Sequence, residues 1–160
     1  VALVHAVLDR VPDARVVLAG PVAEGAGSEW EGLRSLRRRG VELQGRRSLA
    51  ELAELYATAS VAIVPYAIND YTRGVLPLKV AEYLGAGLPV VSSWLPSLDP
   101  VGDDVVLTAD ASAFADAVAR ALARGVSAGD IERRQAMALQ RSWTSCGVMA
   151  RDLVRSRGRS

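Results

Sequence analysis

Short apolar runs alternate with helical segments along this chain, and that alternation limits its fold more than any other feature. Five runs are rich in β-branched residues and bounded by Gly, Pro or Asp: Arg15–Ala19, Val41–Gln44, Val61–Pro65, Pro89–Ser92 and Val105–Thr108. None alternates clearly between polar and apolar, which is the pattern of strands covered on both faces. Val1–Val11 reads as a helix ending before Pro12, in preference to a strand over Val1–Leu8. Ser28-Glu-Trp-Glu31 and Ser48-Leu-Ala-Glu51 are capping boxes, the first opening a helix to about Arg39. Residues 77–85 form a short helix, and residues 112–124 another, capped by Asp110 or Ser112 and stopped by Gly125. A long polar helix is expected from Ser127 to about Arg155, broken near Trp143–Gly147, with a disordered basic tail at residues 157–160. Strand and helix in turn predict an α/β fold: a Rossmann-like doubly wound parallel sheet with helices on both faces. The first strand of such a sheet is central. Here the first element is a helix, which leaves open that this strand is missing from residues 1–156.

Composition narrows the partners. The 160 residues make about one domain, and half of them are apolar. A formal net charge of +1 gives no global field for nucleic acid or membrane. Cys146 is the only cysteine, so no internal disulfide is expected and a reducing compartment fits. No apolar run approaches the ~18 residues that span a bilayer. The first eleven residues lack the basic start and cleavage site of a signal peptide, and Val1 in place of Met reads as a trimmed start.

Chemistry concentrates in YTRGVLPLKVAEYLGAGLPVV, Tyr71–Val91, which holds Lys79, the one lysine among nineteen basic residues. Pro77 suits the first position of a helix. Lys79 then falls in the first turn, where unpaired N–H groups and the helix dipole already favour an anion. A lysine there is electrostatically wrong for the helix alone and sensible if a phosphate lies in front of it. Arg73 adds a second cation just upstream. Glu82 projects from the same face as Lys79, placed to accept hydrogen bonds from ribose hydroxyls. The alternative is an exposed Lys79–Glu82 ion pair with no ligand, and these residues alone do not decide between the two.

The segment Ser48–Ser92 resembles the C-terminal, donor-binding domain of bacterial GT-B glycosyltransferases, group 1 or family 4-like. The resemblance rests on Asn69, Thr72, Arg73, Pro77, Leu78, Lys79, Glu82, Tyr83, Leu84, Gly87, Pro89, Val90, Val91 and Ser92 at matching spacing. Pro12–Pro21 is similar to the family's PDxRxVLVGP strand and turn, Gly45-Arg46-Arg47 to its GRR, and Ser142-Trp143 to its SW. The resemblance implies a nucleoside-diphosphate sugar bound at the carboxyl ends of the strands. It places the diphosphate against Arg73 and Lys79, which would stabilise the leaving group without a metal. It places Glu82 on the ribose, Gly45 and Arg46 at the base, Gly20 and Pro21 near the phosphates, and Leu76 and Leu78 around the helix start, Leu76 toward the sugar. Many relatives carry an earlier glutamate seven residues before the one at Glu82. Gly74 stands there, so Asn69, Asp70 or Thr72 would take its role or the sugar is gripped differently.

The same resemblance puts the acceptor site and any general base on an N-terminal domain outside this chain. It implies sugar or lipid-linked acceptors, no cofactor beyond the donor substrate, no metal and no nucleic acid. It implies a cytoplasmic protein and allows peripheral association with the inner face of the cytoplasmic membrane, in cell-envelope polysaccharide synthesis. Two other functions stay open: a nucleotide-sugar epimerase of the same fold, and a non-catalytic nucleotide-binding or interaction module. His5, the only histidine, reads as surface or part-buried, Asp103-Asp104 as a turn, Arg37–Arg39 as cations suiting a helix C-terminus, and Cys146 and Trp143 as packing residues.

Overall fold

The computed structural model describes residues 1–21, 28–75 and 77–140. In chain order the elements are α1 (Ala2–Arg10), β1 (Val17–Leu18), α2 (Ser28–Arg38), β2 (Glu42–Leu43), α3 (Leu49–Thr58), β3 (Ala62–Val64), α4 (Asp70–Arg73), α5 (Leu78–Gly85), β4 (Val90–Ser93), β5 (Val105–Thr108), α6 (Ala111–Arg124) and α7 (Ala128–Gln140). The five expected strands and the expected helices are present. The one-turn α4 was not foreseen. The expectations for Leu76, Ser142-Trp143, Cys146, the end of the last helix and the tail lie outside the described residues.

Local signals explain most boundaries. At α3 the Ser48 Oγ accepts from the Glu51 N–H at 3.3 Å, and Glu51 Oε2 accepts from the Ser48 N–H at 2.8 Å. This reciprocal pairing satisfies two donors that a helix start leaves orphaned. Asp110, not Ser112, caps α6 through the Ala113 N–H at 2.8 Å. Gly125 ends α6 at φ +70°, a region that glycine enters without steric cost. Pro77 is the N-cap of α5 rather than its first residue.

Among the described residues the named strands pair in parallel, and one isolated antiparallel bridge joins Val101 to Val105. In the sheet β3–β4–β5, Ile63 stands opposite Val91 and Val91 opposite Val106. Successive residues along these strands enter opposite cores, as the period-2 side-chain alternation requires. Ala62, Val64, Val90 and Val105 pack with Val80 and Leu84 of α5, joined by Met137 and Ala138 of α7. Val91, with Ile63 and Val106, packs with Val7 of α1 and Phe114, Ala117 and Val118 of α6. Helices therefore cover both faces, and the doubly wound expectation holds.

The strands divide into two sheets, β1–β2 and β3–β4–β5, rather than forming the expected single one. Apolar side chains join them instead of a hydrogen-bond ladder. Ile63 of β3 packs both against the α1–α6 core and against a third cluster of Val4, Leu8, Val16, Leu36 and Val41. His5 and Asp9 of α1 bind Arg39 at the end of α2, with Arg39 Nη2 to Asp9 Oδ1 at 2.6 Å. Arg39 thus ties two helices together instead of only complementing a dipole.

The Asp103-Asp104 turn is present, and it does more than turn. Asp104 is buried and accepts from Arg133 Nε at 2.7 Å and from Arg134 Nε at 2.8 Å. Arg134, 1% exposed, also donates to the Gly87 carbonyl at 2.9 Å. Helix α7 is thereby clamped to the start of β5 and to the end of α5, the helix that carries Lys79 and Glu82.

Candidate functional site

Parallel strands deliver their carboxyl ends to one edge, and the loops leaving that edge carry the expected residues. The loops after β1 and β2 are tied together by the Gly20 N–H donating to the Gly45 carbonyl at 2.7 Å. Gly45 has φ +62°, so a side chain there would strain the turn that makes this contact. Pro21 and Arg46 beside them are exposed.

After β3 the chain makes the single turn α4. Asn69 Oδ1 accepts from the Thr72 N–H at 2.9 Å, and Thr72 Oγ1 accepts from the Asn69 N–H at 2.8 Å. The Thr72 hydroxyl also donates to the Ala67 carbonyl at 2.7 Å. Both side chains shape the turn, and Thr72 is buried. Their local work is to set Arg73, whose side chain is 65% exposed and 3.6 Å from Asp70. Gly74 follows with φ −95°, and a Cβ there would meet only the Tyr71 carbonyl at 3.8 Å. Space and backbone both admit a larger residue at Gly74, where the resemblance leads to the expectation of a glutamate.

Helix α5 then starts at the same edge with no side chain capping its N-terminus. Leu78 and Lys79 of its first turn are exposed. Lys79 Nζ donates to Glu82 Oε2 at 2.7 Å, with the two side chains 46% and 41% exposed. The ion pair of the bland alternative therefore exists, on a helix start that also suits an anion. Tyr56 of α3 donates its hydroxyl to the same Glu82 oxygen at 3.3 Å. Its ring stands edge-on to Tyr83, with centroids 5.3 Å apart and planes at 85°. Burial, reinforced by the Glu82 carboxylate, pushes the Tyr56 hydroxyl up to about 12, and burial pushes Tyr83 to about 12 as well.

A cavity of about 250 Å³ opens at the carboxyl ends of β3, β4 and β5, between Tyr66, Ile68, Ser93, Asp110 and the start of α1. Among the described residues, none of the expected site residues lines it. Those among the described residues occupy the loops after β1 and β2, the turn α4 after β3, and the first two turns of α5, Leu78 and Lys79 in the first and Glu82 in the second. Among the described residues no group of three or more His, Cys, Asp or Glu is placed to hold a metal ion. Nor, among them, is any helix long and apolar enough to cross a membrane.

Residues 1–124 match the family described as glycosyl transferases group 1. The chain belongs to that family. It is 34% identical over 86 residues to a Bacillus subtilis (strain 168) protein described as a teichuronic acid biosynthesis glycosyltransferase, TuaH; the match takes in 54% of this chain and 21% of TuaH. Its fold is similar to that of AviGT4, a glycosyltransferase involved in avilamycin A biosynthesis. The TM-score is 0.56 at 23% identity, over 98% of this chain and 44% of that one. The chain thus spans about a fifth of TuaH and under half of AviGT4.

In this group 1 glycosyl transferase domain, reading the sequence missed Tyr56 and the Asp104–Arg134 clamp. Tyr56 lies 26 residues before Glu82, and no local pattern links them. The adjacent Arg133 and Arg134 on a helix with a buried stripe were the available signal for the clamp, since an arginine on a buried face needs an acid.

Proposed function

We propose that this domain is the donor-binding half of a glycosyltransferase that moves a sugar from a nucleoside diphosphate to an acceptor hydroxyl, without a metal. The observation that carries the reading is the uncapped start of α5, where the exposed cations Arg73 and Lys79 stand at the carboxyl edge of a parallel sheet. Ligands of open α/β sheets bind at that edge. Departure of the diphosphate is the step that develops negative charge. Two cations and the free N–H groups of a helix start would hold that charge.

Glu82 would accept the ribose hydroxyls once Lys79 turns to the phosphates. The Gly20–Gly45 contact would fix the loops that meet phosphate and base, with Pro21 and Arg46 at their tips. Leu76 would approach the sugar, with Leu78 beside it at the helix start. Asn69 and Thr72 support Arg73 in this reading. Acceptor and general base would come from residues beyond this chain. The description of TuaH, teichuronic acid biosynthesis, supports a sugar polymer of the cell envelope as the product; a cytoplasmic site of action rests on the family resemblance alone.

The test is turnover by the full-length enzyme of UDP-, GDP-, ADP- and TDP-sugars, followed by nucleoside diphosphate release. One donor base should be consumed in an acceptor-dependent way, with or without chelator. An epimerised nucleotide sugar as the product, or no consumption of any donor, would contradict the proposal.

A further inference from the structure

Glu82 receives two donors on one carboxylate oxygen, and they come from different helices. Lys79 lies one turn before it on α5, at 2.7 Å; Tyr56 reaches across from α3, at 3.3 Å. Lys79 is half-exposed on a flexible stem, and a diphosphate in front of α5 would draw it away. Tyr56 has no such freedom. Its ring is fixed against Tyr83 and packs at the margin of the α5 core.

We propose that Tyr56 is a positioning residue of the donor site, holding the Glu82 carboxylate in its ribose-accepting orientation after Lys79 leaves for the diphosphate. This rests on the reading of Glu82 as the ribose ligand. Released from Lys79 alone, a glutamate recovers rotamer freedom that ribose binding must again remove. With the Tyr56 hydroxyl still donating to Oε2, the remaining lone pairs of the carboxylate stay aimed outward, at no further ordering cost. The two cationic and hydroxyl partners of one oxygen then serve separate tasks: Lys79 reports the diphosphate, and Tyr56 keeps the sugar ring's acceptor in place.

The experiment titrates the full chain with UDP, GDP and ADP, each beside its 2′,3′-dideoxy counterpart, and with pyrophosphate. Tyr56→Phe keeps the ring packing and removes the hydroxyl. In the parent protein the ribose form should bind better than the dideoxy form. In Tyr56→Phe that preference should fall about 5- to 10-fold, the scale of one ordinary hydrogen bond, while dideoxy and pyrophosphate affinities hold. Glu82→Gln should remove the preference altogether. A full ribose preference in Tyr56→Phe overturns the inference, as does equal weakening of both forms, which would mark a merely structural tyrosine. Diphosphate binding without any ribose preference in the parent protein would instead remove the Glu82 reading, and this inference with it.

Discussion

Lys79 and Glu82 meet at 2.7 Å across one turn of α5, with both side chains nearly half-exposed. A pair this accessible contributes little to folding, because water screens it and two long side chains must be ordered to make it. The pair is therefore no strut, and under the proposed function it is the resting state of the site.

It follows that Lys79→Ala and Glu82→Gln should each change the unfolding free energy by no more than about 0.5 kcal/mol in urea titrations. A loss several times larger would make the pair structural and remove the reason to expect a ligand.

The clamp beneath the site behaves in the opposite way. Arg134 is 1% exposed and Asp104 4%, so removing either leaves a charge buried without its full complement. Arg134→Met should cost about 3–5 kcal/mol by denaturant unfolding. Arg10→Ala, which breaks the exposed pair with Asp116, should cost at most about 1 kcal/mol. Similar losses in the two variants would contradict the burial argument.

Gly87 connects α5 to β4 at φ +81°, and a Cβ added there would stand 2.8 Å from Ile131 Cγ2 of α7. Backbone strain and overpacking then add, and Gly87→Ala should lower stability by about 2–4 kcal/mol. Ile131→Ala in the same chain should recover part of that loss in a double-mutant cycle. No recovery would show that the backbone alone sets the cost.

Acid should loosen the start of α3. Hydrogen bonds from the Ser48 N–H and hydroxyl, and then Arg47, hold Glu51 at about 2, below its ordinary 4.5. A depressed folded-state value means stability present above about 4.5 and lost as pH falls toward 2. Asp104 is shifted in the same direction by Arg133 and Arg134. Glu51→Gln should be less stable at pH 7 and show a flatter decline between pH 5 and 2 by circular dichroism. An unchanged pH profile would refute the capping account.

The sequence was most legible where structure is local. Ser48 and Glu51 are three residues apart, Asp110 directly precedes its helix, and Gly125 ends it, so propensity and capping suffice. β1 and β2 came out at two residues each, shorter than their apolar runs, because ladder length depends on a partner strand and not on the run itself. The division into two sheets was hidden for the same reason. Asp104 and Arg134 are thirty residues apart, and only the packing of α7 on α5 brings them together. At the site, Lys79 and Glu82 fall on the expected helix, whereas Arg73, expected in a loop, ends the unforeseen turn α4, and Asn69 and Thr72, expected as ligands, are engaged in its cap.

The most direct measurement titrates UDP, GDP, ADP and TDP into the parent protein and Lys79→Ala, with circular dichroism to show that both are folded. The account predicts selective binding of one diphosphate by the parent protein, weakened about 10- to 100-fold without the Lys79 ammonium, the worth of a hydrogen bond to a charged group. Equal affinity in the two proteins would contradict it, since the diphosphate would then lie away from the start of α5.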